Sequence, residues 1–292
     1  ADGSLYTANL RSAKATDYYT LKGDPNGETY QPRFTFHGFR YVEVTGLDEP
    51  LPLDAVNGIV LYSAMEEAGS FESSDALINQ LYSNTLWSQR SNFIVIPTDC
   101  PQRDERLGWT GDAQVFARTA TYNMKSDSFY NNYLDIVREY QREDGAYPST
   151  APLFWDGHGA NGWGDAGVII PWQMYQQYGD TGVIRENYDA MKAWIAYLKA
   201  NSTNLIRPDA DYGDWMSIVG TPSTITNTAY FAYSTHLLAK MAEAIGQTED
   251  AAYYYDLFEQ IRAAWNNAFV KEDGSMTVDT QTAYIVGLAF EL

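Results

Sequence analysis

Ser73-Ser74-Asp75-Ala76-Leu77-Ile78-Asn79-Gln80-Leu81-Tyr82-Ser83-Asn84-Thr85-Leu86 marks the point where the chain changes texture. Ser73, Ser74 and Asp75 carry the side-chain oxygens that satisfy free N–H groups at a helix start. Behind them Ile78, Leu81, Tyr82 and Leu86 recur at three- and four-residue spacing, the period of one helix face. Downstream the same period returns at Phe129, Tyr133, Ile136, Val137 and Tyr140, then at Tyr188, Met191, Ile195 and Leu198. It returns again at Leu237, Leu238, Met241 and Ile245, and at Tyr254, Leu257, Phe258 and Ile261. A last apolar run, Ala283 to Leu292, is expected to be helical to its end. About eight helices follow from this pattern, and short connections make most of them antiparallel neighbours. Trp87, Trp172, Trp194 and Trp265 fall in the helical stripes and are expected to pack in the core.

Upstream the period is that of strands. Residues 34–44, Phe-Thr-Phe-His-Gly-Phe-Arg-Tyr-Val-Glu-Val, are rich in aromatic and β-branched side chains, with Tyr41 and Glu43 alternating against Val42 and Val44. Residues 58–63 form a second candidate strand, and Asp24-Pro25-Asn26-Gly27 and Asp48-Glu49-Pro50 supply turns. Three to five strands at most fit here, by ordinary strand lengths, which leaves a β-domain incomplete. The expected division is an incomplete β-domain over 1–70 and a helical domain over 71–292.

Composition narrows the function. The 292 residues carry 38 Asp and Glu against 19 Lys and Arg, a net charge of −19 that argues against a nucleic-acid backbone as partner. No stretch is long and apolar enough to read as a membrane span. The three histidines (His37, His158 and His236) are widely spaced, so a histidine-rich zinc site has little support. Asp209, Asp211 and Asp214 loosely match a calcium loop but lack its further spacing and terminal Glu. No phosphate-binding glycine loop or nucleophile elbow occurs, so no cofactor or metal is expected. Cys100, the one cysteine, has no neighbouring His and reads as a small buried residue. The chain opens at Ala1 without a Met, which reads as a processed product or a piece of something longer.

The chemistry is concentrated in long loops, at 98–109, 147–163 and 208–222. Asp99-Cys100-Pro101-Gln102-Arg103-Asp104-Glu105-Arg106-Leu107-Gly108-Trp109-Thr110-Gly111-Asp112 places carboxylates, arginines and an indole side by side. As a bland surface loop its charges would neutralise one another; Asp112 would then cap a helix starting at Ala113. Pro97 and Pro101, however, keep the run out of a regular helix. The second loop holds Trp155-Asp156-Gly157-His158 and Trp163-Gly164-Asp165, and the third holds Asp209, Asp211, Tyr212, Asp214 and Trp215. Indoles beside carboxylates suit a sugar, whose C–H faces stack on the ring while its hydroxyls donate to the carboxylates. What survives the exclusions is carboxylate-driven glycoside chemistry.

The run from Asp99 to Ala113 resembles the signature of bacterial and fungal α-L-rhamnosidases, glycoside hydrolase family 78. Residues 34–46 resemble the end of the β-sandwich that precedes the catalytic barrel in that family. Trp163-Gly164-Asp165-Ala166 and Gly213-Asp214-Trp215 resemble its sugar-site segments, in the same order. The resemblance implies a mainly α chain: an incomplete (α/α)6 barrel of antiparallel helical hairpins, preceded by a short antiparallel β-sandwich remnant. It implies inverting hydrolysis of terminal α-L-rhamnose, with rhamnose-containing glycosides as partners. Glu105 would be the general acid, and Asp99, Arg103, Trp109, Asp112, Trp163, Asp165, Asp214 and Trp215 would bind the substrate. The family's general base is a Glu in a Trp-Glu-Arg-Trp-like segment, and no Trp-Glu pair exists in this sequence. The base is therefore expected outside the chain, and these residues alone are expected to be inactive. A non-catalytic sugar-binding module and a different (α/α)6 exo-glycosidase are the competing readings.

Overall fold

The computed structural model describes residues 3–210 and 212–292. Its described elements are α1 (Ala76–Asn92), β1 (Phe93–Ile94), β2 (Ile96–Pro97), α2 (Thr110–Asn123), α3 (Asp127–Glu139), α4 (Ala166–Tyr178), α5 (Gly182–Ala200), α6 (Ser223–Ala244), α7 (Thr248–Phe269) and α8 (Gln281–Ala289). The protein is thus mainly helical. The chain divides into two compact units. One joins Phe71–Leu107 to the chain up to Ala64; the other joins Met65–Ser70 to Gly108–Leu292.

In the first unit, α1 starts where its sequence says it should. Asp75 adopts an extended conformation and its carboxylate accepts from the Leu77 N–H at 2.8 Å. The apolar stripe behind it stays largely at the surface, however. Leu86 is buried, but Ile78, Leu81 and Trp87 are exposed, so Trp87 is not a core residue; it lies instead under the Arg90 guanidinium at 5.0 Å. The strands expected at 34–44 and 58–63 do not form either. Both segments are irregular, with Tyr41, Val42, Val44, Ile59 and Val60 exposed. A strand is defined by its ladder, and among the described residues no ladder includes these segments; Ser63 alone reaches β1, through its N–H to the Phe93 carbonyl at 2.7 Å. The only paired strands among the described residues are β1 and β2, a two-residue antiparallel hairpin.

In the second unit, short turns at 124–126, 179–181 and 245–247 join α2 to α3, α4 to α5 and α6 to α7. Such brief connections enforce antiparallel hairpins. The first helix of each hairpin packs on the first helix of the next, α2 on α4, α4 on α6 and α6 on α8, while α3 packs on α5 behind them. The sequences fit these places. α6 buries Ile225, Ala229, Phe231, Leu238 and Met241 around most of its circumference, as an inner helix must. α3 and α5 bury one face each, through Tyr130, Tyr133, Leu134 and Val137, and Ile184, Met191, Trp194 and Leu198. Trp265 is enclosed among Ile225, Ala229, Phe269, Met276, Ala283 and Val286, and its Nε1 donates to the Ile225 carbonyl at 3.1 Å. Trp194 and Trp265 are core residues, as expected. The last helix ends earlier than expected. α8 stops at Ala289; Glu291 takes a positive φ of 63° and the Leu292 N–H turns back to the Gly287 carbonyl.

Candidate active site

The loop after β2 is organised by Asp99. Its side chain is 5% exposed; Oδ1 accepts from the Leu107 N–H at 2.8 Å and Oδ2 from Arg103 Nη2 at 3.0 Å. The Asp99 N–H returns a bond to the Leu107 carbonyl at 3.1 Å, so one carboxylate closes the whole 99–107 loop. Arg103 then reaches Glu105 Oε2 at 3.3 Å and donates through Nε to Cys100 Sγ at 3.1 Å. Carboxylate partners push the Arg103 guanidinium pKa further up, and burial pushes the Cys100 thiol up. Glu105 takes a second cation, Arg11 Nη1 at 2.8 Å, and stays partly exposed.

The other charges of this run turn outward. Asp104 accepts from the Ser12 hydroxyl, which holds its carboxyl below the usual range. Arg106, with a positive φ of 43°, donates to the Phe36 carbonyl at 2.8 Å and lies 4.5 Å over the Phe36 ring. Arg103 thus pairs carboxylates inside the run, while Asp104 and Arg106 find their partners outside it. Gly38 explains why the His37-Gly38-Phe39 segment matters to this loop: a Cβ there would lie 2.8 Å from the Pro101 carbonyl carbon and 2.9 Å from the Gln102 nitrogen. His37 itself bonds Asp17 at 3.0 Å.

One peptide bond further, in the helical unit, the chemistry becomes aromatic. Trp109 is held by paired backbone, with the Ala151 N–H on the Gly108 carbonyl at 2.8 Å and the Thr110 N–H on the Ser149 carbonyl at 3.0 Å. Its ring meets Trp155 at 5.0 Å and Tyr212 at 5.7 Å, both edge to face. Tyr212 also meets Trp163 at 4.4 Å and Trp215 at 6.0 Å. Three loops thus place three indoles around one phenol, where α2, α4 and α6 begin, and Trp155 stands against Trp109. Trp109 and Trp163 are half-buried and Trp215 is 65% exposed, which leaves aromatic faces open to a ligand.

The acids of this unit occupy different places. α2 begins at Thr110 with Trp109 at its cap position, so Asp112 is not the cap; it is exposed in the first helical turn, where the helix field favours a carboxylate. Asp214 accepts from the Thr221 N–H and the Thr282 hydroxyl, each at 3.2 Å, and ties its loop to the start of α8. Asp209 accepts from the Ser223 N–H at 3.0 Å and from its hydroxyl, which lowers its pKa. Asp211, the third acid of the candidate calcium loop, lies outside the described residues.

Asp165 differs from its sequence reading. It is fully buried, and both oxygens are engaged by protein: Oδ1 by Trp194 Nε1 at 2.9 Å and Ser234 Oγ at 2.6 Å, Oδ2 by the Gly162 N–H at 2.7 Å and Asn161 Nδ2 at 3.2 Å. Burial pushes its pKa up and these donors oppose the shift. A carboxylate with four protein donors and no exposed surface holds structure together rather than touching a ligand.

The structure therefore gathers Asp99, Arg103 and Glu105 on one loop and Trp109, Trp163 and Trp215 in one cluster. Sequence reasoning missed the hub. Tyr212 sits in an acidic, aromatic loop, which was the available signal, but nothing in its spacing marks it above its neighbours.

Two family models match. A bacterial alpha-L-rhamnosidase 6 hairpin glycosidase domain matches residues 66–292, and a bacterial alpha-L-rhamnosidase concanavalin-like domain matches residues 1–62. An alpha-L-rhamnosidase of Streptomyces avermitilis is 49% identical over 293 residues, covering 100% of this chain and 28% of the relative. One from Formosa agariphila is 44% identical, covering 100% of this chain and 33% of the relative. Among solved structures, the Streptomyces avermitilis alpha-L-rhamnosidase complexed with L-rhamnose superposes over 99% of this chain and 28% of its own, with a TM-score of 0.96 at 49% identity. Native Aspergillus terreus alfa-L-rhamnosidase gives a TM-score of 0.88 at 36% identity, over 100% of this chain and 36% of its own. The chain thus spans 28–33% of the length of these curated relatives.

Proposed function

Because the chain belongs to the bacterial alpha-L-rhamnosidase family, we propose that it supplies the acid and the sugar platforms of an inverting α-L-rhamnosidase. Residues 1–70 then belong to a β-sandwich domain and 71–292 to the six-hairpin catalytic domain. The observation that carries the reading is the aromatic cluster: Trp109, Trp163 and Trp215, from three loops, meet one phenol at the N-terminal ends of the inner helices. A deoxy sugar with a methyl group and apolar C–H faces is the ligand class such a surface accepts.

Glu105 is the general acid in this reading. Inversion needs a protonated carboxyl at the glycosidic oxygen and a carboxylate roughly 6.5–9.5 Å away that activates water on the opposite face. Once Glu105 has given its proton, Arg11 at 2.8 Å and Arg103 at 3.3 Å are in place to pair the carboxylate. Asp99, Arg103, Asp112 and Asp214 take sugar hydroxyls. Asp165 supports the Trp163 loop from behind rather than touching the sugar. No Trp-Glu pair occurs in this sequence, and none of its residues is assigned the role of base in this reading.

The test has two arms. Titrating the 292-residue polypeptide with L-rhamnose is expected to change indole fluorescence saturably, without release of rhamnose from an aryl rhamnoside. In the enzyme that contains these residues, Glu105→Gln is expected to cost about 10²–10⁴-fold in turnover of alkyl rhamnosides. The cost should be far smaller where the leaving group departs without a proton. Equal losses on both substrates remove Glu105 from the acid role, and binding without any effect of Glu105 leaves only a sugar-binding module.

A further inference from the structure

Trp163 and Tyr212 touch at 4.4 Å but belong to loops far apart in sequence. Something must set the register of one loop on the other. Behind the Trp163 loop lies a buried polar chain that neither side of the sugar site uses. Asn161 is 2% exposed, Asp165 0% and Arg207 3%. Asn161 faces both ways: its Nδ2 donates to Asp165 Oδ2 at 3.2 Å, and its Oδ1 accepts from Arg207 Nε at 2.9 Å. A buried anion and a buried cation are thereby joined through one amide, which has a donor on one side and an acceptor on the other.

Each end of the chain grips a loop. Asp165 accepts the Gly162 N–H at 2.7 Å, while Gln114 Nε2 donates to the Gly162 carbonyl at 3.1 Å, so the two peptide groups that flank Gly162, next to Trp163, are each held. Trp194 and Ser234 anchor the same carboxylate to α5 and α6. At the other end, Arg207 opens the segment that carries Tyr212 and Trp215. Its Nη1 donates to the Asn201 carbonyl at 2.7 Å, its N–H to Thr228 Oγ1 at 3.0 Å, and its carbonyl accepts from Thr224 Oγ1 at 2.7 Å.

The geometry points to Asp165, Asn161 and Arg207 as positioning residues: a buried relay that sets the Trp163 loop against the Tyr212 loop and so fixes the aromatic platform. This rests on the rhamnose-binding reading for its consequence, but the positioning itself does not. Asn161 is the residue through which the two loops are coupled. Replacing it separates the loops without touching either ring, and leaves both buried charges short of a partner.

The test reads the ring directly. With 5-fluorotryptophan incorporated, the eight indoles of the chain give ¹⁹F resonances, and Trp163→Phe assigns that of Trp163. In Asn161→Ala the Trp163 resonance is expected to shift or broaden while that of Trp265, enclosed elsewhere, holds its place. The L-rhamnose dissociation constant is expected to rise about tenfold. Ser234→Ala, which removes one donor from Asp165 but keeps the amide bridge, is expected to leave the Trp163 signal nearly unmoved. Should Asn161→Ala lose the Trp265 signal by unfolding, Asn161→Ser, too short to bridge, carries the same expectation. An unmoved Trp163 resonance in a folded Asn161 variant overturns the relay; a moved resonance with unchanged rhamnose affinity upholds the positioning and overturns its stated consequence for the sugar. If the unaltered chain binds no L-rhamnose, the functional reading fails instead, and the fluorine spectrum still decides whether the relay positions Trp163.

Discussion

Gly111→Ala tests how tightly the sugar platform is built. Gly111 is the second residue of α2, and a Cβ placed on it would lie 2.8 Å from Trp163 Nε1, 2.9 Å from Cε2 and 3.0 Å from Cδ1. Ordinary contact for such atoms begins near 3.5 Å, so the indole must recede by about 0.7 Å or rotate off its rotamer. It has little freedom to do so, since Tyr212 sits at 4.4 Å and the adjacent Gly162 peptide is held by Asp165 and Gln114. Two energies oppose each other. Ala in place of Gly favours the helix by about 0.5–1 kcal/mol, and overpacking costs about 1–3 kcal/mol. The net loss of stability is then about 0–2.5 kcal/mol, small enough for the protein to remain folded. Binding is expected to suffer more, because the displaced ring is the ligand surface itself: about tenfold weaker L-rhamnose affinity. Urea unfolding and fluorescence titration on one sample separate the two effects. Rhamnose affinity equal to that of the unaltered chain would show that Trp163 is packing and not platform.

Two further outcomes follow from the first unit. Gly38→Ala directs its Cβ at backbone, 2.8 Å from the Pro101 carbonyl carbon and 2.9 Å from its oxygen, where no flexible side chain can yield. A loss of about 2–3 kcal/mol in urea unfolding is expected, and a change under about 0.5 kcal/mol would refute the close approach. Glu28 accepts from Tyr19 Oη, the Lys22 N–H and the Asp24 N–H, and these bonds, the Tyr19 bond foremost, lower its pKa to about 2. A depressed carboxyl contributes order above its unfolded pKa of 4.5 and loses it as pH falls through about 2. The amide resonances of Lys22 and Asp24 are expected to titrate with that lower midpoint, and a midpoint near 4.5 would refute it.

The helices were legible because their signals are local. Asp75 announces a helix start through the free N–H groups of the next turn, and the stripes on α3 and α5 match the faces those helices bury. The strands at 34–44 and 58–63 failed for the converse reason: alternation says which face a strand would bury, but the ladder belongs to a second segment that alternation does not name. Ile78 and Leu81 carry the same lesson on a helix. Their spacing is correct for an apolar face, and both remain exposed, because a periodic face states a need for a partner without supplying one.

The site divides along similar lines. Glu105, Arg103 and Asp99 lie within one loop, so their proximity was readable from sequence, although Arg11 as a second partner of Glu105 was not. Asp165 was misread because its setting, Trp-Gly-Asp, resembles that of a surface acid beside a sugar platform. A local signal pointed the other way: the apolar run Ala166-Gly167-Val168-Ile169-Ile170 begins directly behind it, and an acid that opens a helix whose first turns are buried is drawn into the core with them. Once there it must collect donors, and it takes them from Asn161, Gly162, Trp194 and Ser234. Two of these donors come from other helices. The acid that looked like a ligand is therefore the point where α4, α5 and α6 are pinned together behind Trp163. An indole on a loop thus has its loop held from behind through Asp165, which keeps Asn161 and Gly162 in place and takes one donor each from α5 and α6.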